Sequence, residues 1–129
     1  MIGIGIAIVI FHRIYLVWPS RPKGIEKLIN LKYLDLDNNK IIKIPKEIGN
    51  LTNLISLSLH NNEITEIPET VGNLANLEYL YLSNNKISKI PKEIGKLTKL
   101  KALYLDNNKL RNEEIIKLKS LLPHTNIIL

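Results

Sequence analysis

Residues 31–53 read LKYLDLDNNKIIKIPKEIGNLTN, and this stretch decides the fold because the chain repeats it at a fixed spacing of 23 residues. Two further copies occupy residues 54–76 and 77–99, and a partial fourth copy begins at Leu100. Leucines stand at the first, fourth and sixth positions of each copy, and an asparagine stands at the ninth. Such a period predicts a solenoid of stacked units, none of which can bury its apolar side chains alone.

The leucines two positions apart predict one short strand in each copy, with one buried face. Leu34 and Leu36 point to one side of an extended chain, whereas Tyr33 and Asp35 point to the other. Stacked copies give a parallel sheet, and the bulkier return segments must lie farther apart than the strands. We therefore predict an α/β solenoid with a curved parallel sheet on its concave side. Short helical or irregular segments form the convex side. The strands are expected near residues 14–16, 34–36, 57–59, 80–82, 103–105 and 127–129.

The asparagines at the ninth position follow each strand, where the chain turns into the core. An amide side chain can satisfy both donors and acceptors of a buried backbone. We predict that these residues form an internal ladder and that Asn61, one position earlier, lies outside it and is dispensable. The glycines are expected to permit the turn after each return segment. The ladder consists of Asn39, Asn62, Asn85 and Asn108, and the glycines are Gly49, Gly72 and Gly95.

Three copies continue with the pattern I-x-x-I-P-x-x-I/V-G-x-L, as in residues 41–51. The complete pattern, LxxLxLxxNxIxxIPxxIGxLxx, resembles the 23-residue class of leucine-rich repeats that is common in bacterial proteins. The resemblance covers residues 31–110 firmly and the two ends loosely. It implies a non-enzymatic module that binds another protein.

The two ends are expected to close one single domain around the repeats in residues 31–110. Residues 1–30 are assigned to an N-terminal strand and a degenerate capping repeat, in which residues 11–30 lack the ladder asparagine and Leu28 matches Leu51. Residues 111–129 are assigned to a helix and strand cap that begins with Asn112 as the helix cap residue. Leucines and isoleucines of this cap are expected to face the core, namely Ile115, Leu118, Leu121, Leu122, Ile127 and Leu129.

Residues 1–10 place an isoleucine at every even position with a smaller residue between, which predicts a strand. The alternative is a signal or membrane-anchor segment. Against it, the stretch has no basic start, and it is much shorter than the ~20 residues needed to cross a bilayer, so no membrane span is expected. An isoleucine-rich strand at the end of a sheet is adhesive, and residues 2–11 are expected to be able to pair with a second copy of the chain.

The formal net charge of +6 suggests a nucleic-acid partner, but the charge distribution argues against one. The lysines fall mostly in the return segments, where glutamates alternate with them, whereas the concave face carries several carboxylates. A groove that follows a phosphate backbone should be basic where it is concave. The chain has no cysteine. This favours a cytoplasmic location and leaves a secreted bacterial protein as the alternative.

The five tyrosines are predicted to point from the strands onto the concave face. Tyrosine is enriched in binding hot spots because it combines a large rigid area with one polar group. We therefore predict that the concave face binds a protein or peptide partner. The partner-binding residues are expected to be Tyr33, Asp35, His60, Tyr79, Tyr81, Tyr104 and Asp106.

The residues at the strand ends, Asp37, His60, Ser83 and Asp106, imitate an acid, base and nucleophile set. An open sheet provides no enclosed pocket and no oxyanion donors, so no enzymatic activity is expected. One histidine with flanking carboxylates is also weak evidence for a metal, so no metal or other cofactor is expected. The alternative function is a structural, self-associating repeat protein that assembles through its N-terminal strand.

Overall fold

The structure, a computed structural model, describes residues 7–10, 13–16 and 28–129, the first two segments as backbone strands. Its strands form one sheet in chain order, in which β2 to β7 are parallel and β1 runs antiparallel to β2. The predicted parallel solenoid is thus confirmed. The strands are Ala7–Ile10 (β1), Arg13–Leu16 (β2), Tyr33–Asp35 (β3), Ser56–Ser58 (β4), Tyr79–Tyr81 (β5), Ala102–Tyr104 (β6) and Asn126–Ile128 (β7).

β1 falls within the strand predicted for residues 1–10. The rest of that prediction and most of the degenerate repeat at residues 11–30 lie outside the described residues. Leu28 was matched with Leu51, and both accept the same turn hydrogen bond, from Leu31 and Leu54 respectively. Their burial differs, however, since Leu51 is fully buried and Leu28 is 40% exposed. In the described part of the chain, no helix is long and apolar enough to cross a membrane.

The core is built from the inward leucines of the strands. Leu34, Leu57 and Leu80 stand opposite one another in the register of β3, β4 and β5, and none is more than 2% exposed. Isoleucines of the return segments and Val71 pack against them from the convex side. This burial is shared between neighbouring repeats, so it stabilises the stack and not the single unit.

Each return segment contains one turn of 3-10 helix directly after a proline. The helices are Lys46–Asn50, Glu69–Asn73 and Lys92–Lys96. Pro45, Pro68 and Pro91 precede them with extended backbone, as φ between −65° and −71° and ψ between 144° and 150° show. The proline carbonyl accepts the first hydrogen bond of each helix, for example from the Ile48 N–H at 3.1 Å.

The glycines of these helices have a different role from the predicted one. None of them has the left-handed backbone that would make glycine necessary for a turn. Gly49 and Gly72 instead let neighbouring return segments approach closely, because a Cβ would lie 2.7 Å from the Thr70 carbonyl oxygen and 2.6 Å from the Glu93 carbonyl oxygen, respectively. The close spacing of neighbouring return segments therefore requires glycine at these two positions.

The predicted asparagine ladder is present. The Asn62 amide donates to the carbonyls of Leu36 and Leu59 at 3.0 and 3.1 Å, and its Oδ1 accepts the Ile41 N–H at 3.1 Å. One side chain thus joins two repeats, and Asn85 repeats the pattern. These bonds satisfy backbone groups that the turn would otherwise leave buried without partners.

The C-terminal cap is helix α1, Asn112–Leu121, followed by β7. The expectation that Asn112 caps this helix is wrong, because Arg111 is the cap residue and Asn112 is already helical. Leu118 is buried, as predicted, whereas Leu129, which was also expected to face the core, is 49% exposed. Helix α1 takes the place of a further repeat. Its Glu114 Oε2 accepts a hydrogen bond from the Ile90 N–H of the last return segment at 2.9 Å.

Candidate functional site

The outward positions of the strands form two rows across the concave face. Strand register places Asp35, Ser58, Tyr81, Tyr104 and Ile128 in one row. It places Tyr33, Ser56, Tyr79, Ala102 and Asn126 in the other. The face therefore carries small or acidic residues and Tyr33 over β3 and β4, and it is mainly aromatic over β5 and β6.

Tyr79, Tyr81 and Tyr104 form a cluster that we call the tyrosine stack. The rings of Tyr81 and Tyr104 lie side by side on neighbouring strands, with centroids 4.8 Å apart and planes at 16°. Tyr79 continues the stack along β5, with its centroid 6.4 Å from that of Tyr81 and planes at 18°. All three side chains are half-buried. The rings support one another, so the stack presents a preformed surface.

His60 closes the stack on the side of β4. Its ring meets Tyr81 edge to face with a centroid distance of 5.2 Å, and it meets Tyr104 in the same way at 6.4 Å. The Nδ1 atom of His60 is buried and has no hydrogen-bond partner among the described residues. The imidazole is thus held by aromatic packing.

The hydroxyl of Tyr81 has a perturbed pKa. Burial raises the pKa above the ordinary value of 10.0, and the neighbouring hydroxyls of Tyr104 and Tyr79 raise it further. Both causes disfavour the charged phenolate. Tyr81 therefore keeps its proton to higher pH than an unperturbed tyrosine, and as a neutral phenol it can donate a hydrogen bond to a ligand.

Lys101 and Glu78 form an ion pair at the start of β5 and β6, where the Lys101 Nζ lies 3.3 Å from Glu78 Oε1. The same ammonium group stands 6.0 Å from the centroid of the Tyr79 ring. A cation between a ring face and a carboxylate is attracted by both. Lys101 thus places a cation at the margin of the tyrosine stack.

Tyr33 and Asp35 lie on β3, apart from the tyrosine stack. The small side chains of Ser56 and Ser58 on β4 separate them from Tyr81, which leaves an open hollow of about 170 Å³ between the two sides. The seven residues predicted to bind a partner therefore share one face but form two groups. Tyr15, which was also expected to face the ligand, belongs to β2, where only the backbone is described.

The residues that follow the strands form a second feature, which we call the strand-end rim: Asp37, His60, Ser83 and Asp106. Asp37 Oδ1 accepts the Ser58 hydroxyl at 2.7 Å and the backbone N–H of His60 at 2.8 Å. The Ser83 hydroxyl donates to Asp106 Oδ1. The rim is therefore joined by hydrogen bonds that fix the two carboxylates, and Ser83 does not bond to the imidazole. Among the described residues, no group of three His, Cys, Asp or Glu side chains is placed to hold a metal ion.

The sequence reasoning missed a second ladder of asparagines beside this rim. The Asn61 amide donates to Asn38 Oδ1 at 2.8 Å, and the Asn84 amide donates to Asn61 Oδ1 at the same distance. The Asn107 amide in turn donates to Asn84 Oδ1 at 2.7 Å. All four residues have positive φ, between 56° and 58°. The signal was the Asn-Asn pair in every repeat, since asparagine tolerates left-handed backbone better than most residues.

A sequence model described as Leucine-rich repeat region matches residues 18–122. No functionally curated protein matches the chain significantly. A leucine-rich repeat protein of Leptospira interrogans has a similar structure, with a TM-score of 0.84, 38% identity, and coverage of 88% of this chain and 29% of that one.

Internalin C2 of Listeria monocytogenes is also similar, with a TM-score of 0.70, 30% identity, and coverage of 85% of this chain and 45% of that one. So is a plant peptide hormone receptor, RGFR1, in complex with RGF2, with a TM-score of 0.68, 34% identity, and coverage of 84% and 18%. The chain thus spans less than half the length of each of these three proteins.

Proposed function

Because the chain belongs to the leucine-rich repeat family, we propose that it is a non-enzymatic interaction module that binds a protein or peptide partner on the concave face of its sheet. The tyrosine stack and His60 form the centre of this surface, and Asp106 lies at its edge. Tyr33 and Asp35 provide a second, polar contact region on β3.

The observation that carries the proposal is the stacking of three half-buried tyrosines on two adjacent short strands. Aromatic side chains with little remaining freedom lose little entropy when a partner covers them, and such residues dominate binding energy. The comparison with the plant receptor supports the proposal, since that leucine-rich repeat structure contains a bound RGF2. Leucine-rich repeat domains are typically scaffolds for interaction and not enzymes.

The proposal is tested by affinity capture with the full chain as bait. The control bait carries Tyr81→Ser and Tyr104→Ser, because Ser58 already occupies the equivalent position on β4 and shows that serine is compatible with the strand. A protein that the wild-type bait captures and the control bait loses supports the proposal. If every captured protein binds both baits equally, the tyrosine stack is not the working surface.

The alternative function, self-association, is favoured by one observation. β1 forms an end of the sheet in the described residues, and its sequence, Ala-Ile-Val-Ile, carries no charge that would discourage a further strand. Light scattering on the full chain and on an Ile8→Lys variant tests it. A dimer that the lysine abolishes supports assembly through β1, whereas a monomer in both cases removes this alternative.

A further inference from the structure

The charges around the tyrosine stack indicate which class of partner this surface fits. The two ends of the strands differ. Before the strands, Lys101 already neutralises Glu78 and occupies the margin of Tyr79. After the strands, the rim carries Asp37 and Asp106, and neither forms an ion pair in the described part of the chain. The lysines that follow them in sequence, Lys40 and Lys109, are exposed and do not pair with them.

Both rim carboxylates are held in place before any ligand arrives. Ser58 and the His60 backbone fix Asp37 through Oδ1, and Ser83 fixes Asp106 through Oδ1. In each case these bonds use one carboxylate oxygen, so the other oxygen can accept a bond from a ligand. A preformed carboxylate that lacks a cation is complementary to a lysine or arginine side chain.

We propose that the strand-end rim and the tyrosine stack recognise an extended basic peptide segment, in which two lysine or arginine side chains pair with Asp37 and Asp106 and the residues between them lie on Tyr81, Tyr104 and His60. This inference rests on the proposed function and adds the class of partner. It also gives the direction in which the peptide runs, which is across the strands.

The geometry sets the spacing of the two basic residues. Asp37 follows β3 and Asp106 follows β6, which are three strand steps apart. At ~4.8 Å per step the carboxylates are about 14 Å apart. An extended chain advances ~3.4 Å per residue, so side chains four residues apart span about 14 Å and point to the same side. The inferred pattern is therefore a basic residue, any three residues, and a second basic residue.

The chain's own Lys101 supports the choice of a cation over an anion. Its ammonium group lies against Tyr79 and a carboxylate at one margin of the stack. At the other margin, Tyr104 is followed two residues later by Asp106, and the described residues supply no cation there. A partner cation at Asp106 would reproduce the arrangement that Lys101 makes at Glu78.

The test is a selection of random linear peptides, displayed on phage, against the immobilised full chain. We expect enriched sequences to contain lysine or arginine at two positions four residues apart. The same peptides are then measured against the double variant Asp37→Asn/Asp106→Asn. The amide keeps a carbonyl oxygen for the serine and backbone donors, and a thermal melt verifies that the variant folds. Affinity should fall by roughly tenfold or more, since a charge-assisted pair is lost at each end.

The matched control is Glu66→Gln/Glu69→Gln, which removes two exposed carboxylates from the convex side and should leave the affinity unchanged. Enriched peptides that are neutral or acidic but still require Tyr81 and Tyr104 would overturn this inference and leave the proposed function standing. The inference is also overturned if basic peptides bind the Asp37/Asp106 double variant as tightly as the wild type. Absence of any enriched peptide would also overturn this inference, and the proposed function would then rest on a folded protein partner. Enrichment that is independent of the tyrosines would overturn both.

Discussion

Two adjacent asparagines in each repeat stabilise the turn after the strand by different means. Asn62 is buried and bonds to the backbone of two repeats, whereas Asn61 is exposed and bonds to the asparagines of the neighbouring turns. Asn61 also holds a backbone φ of 57°, which an alanine adopts with difficulty. Neither residue is therefore dispensable.

Asn62→Ala should lower the free energy of unfolding by about 1–3 kcal/mol, because buried backbone groups lose their partners. Asn61→Ala should lower it by about 1–2 kcal/mol, because the left-handed backbone becomes strained. Urea unfolding followed by circular dichroism measures both changes.

Asn61→Gly is the control that tests for backbone strain at this position. Glycine removes the amide ladder but adopts positive φ freely, so this variant should be more stable than Asn61→Ala. Equal stability of the glycine and alanine variants would show that backbone strain at Asn61 is negligible.

The raised pKa of Tyr81 makes stability depend on pH in the alkaline range. In the unfolded chain this tyrosine loses its proton near its ordinary pKa of 10.0, whereas the folded protein retains the proton to higher pH. The resulting contribution to stability is present below pH 10 and is lost as the pH rises through the folded pKa.

Urea unfolding at several pH values, with wild type and Tyr81→Phe compared, measures this effect. The phenylalanine ring keeps the stacking but has no proton to lose, so the decline in stability above pH 10 should be smaller in the variant. If the two proteins show the same pH profile, the environment of Tyr81 does not perturb its hydroxyl.

At the scale of the element, the spacing of neighbouring return segments depends on glycine. Gly72→Ala should cost about 1–3 kcal/mol of stability, because the new Cβ meets the rigid carbonyl of Glu93 at 2.6 Å. Gly95 is a matched position in the last 3-10 helix, where the nearest atom is the flexible side chain of Leu121 at 3.3 Å.

Gly95→Ala should therefore change stability by no more than about 0.5 kcal/mol. Thermal melts of the two variants under identical conditions make the comparison. A Gly95 variant that loses as much stability as the Gly72 variant would contradict the argument from close approach and favour a requirement of the helical turn itself.

The strands and the buried asparagines could be predicted from sequence because their signals repeat. Leu57 and Leu80 occupy the same position of a 23-residue period, so one unit fixes the register of the others. The positive φ at Asn61 does not follow from the repeated leucine pattern, because it depends on the geometry of the turn. The start of α1 was misplaced by one residue, since the helix cap falls on Arg111, where no repeat guides the assignment.

The candidate surface was predicted only in part. Strand alternation correctly placed Tyr79, Tyr81 and Tyr104 on the concave face, because orientation in a strand follows directly from sequence position. The small serines of β4 divide the predicted residues into two groups, which the prediction did not include. The stacking of the tyrosine rings depends on side-chain rotamers, which the sequence does not specify.

At the scale of the whole molecule, the stack of repeats turns single side chains into a surface. Each strand contributes only two outward residues, and parallel register brings them together across the sheet. The concave side therefore collects aromatic and acidic groups from several repeats, whereas residues of the return segments, such as Lys89, lie on the opposite side. Residues of the concave face from several repeats can therefore contact one ligand together.

The most direct test measures the Kd of the captured partner for Tyr81→Ser and Tyr104→Ser, together with the Tm of each variant. We predict that each variant binds more than about fivefold more weakly than the wild type and melts at nearly the same temperature. Lys89→Glu on the convex side should bind like the wild type. Loss of binding in Lys89→Glu with normal binding in both tyrosine variants would contradict the assignment of the concave face.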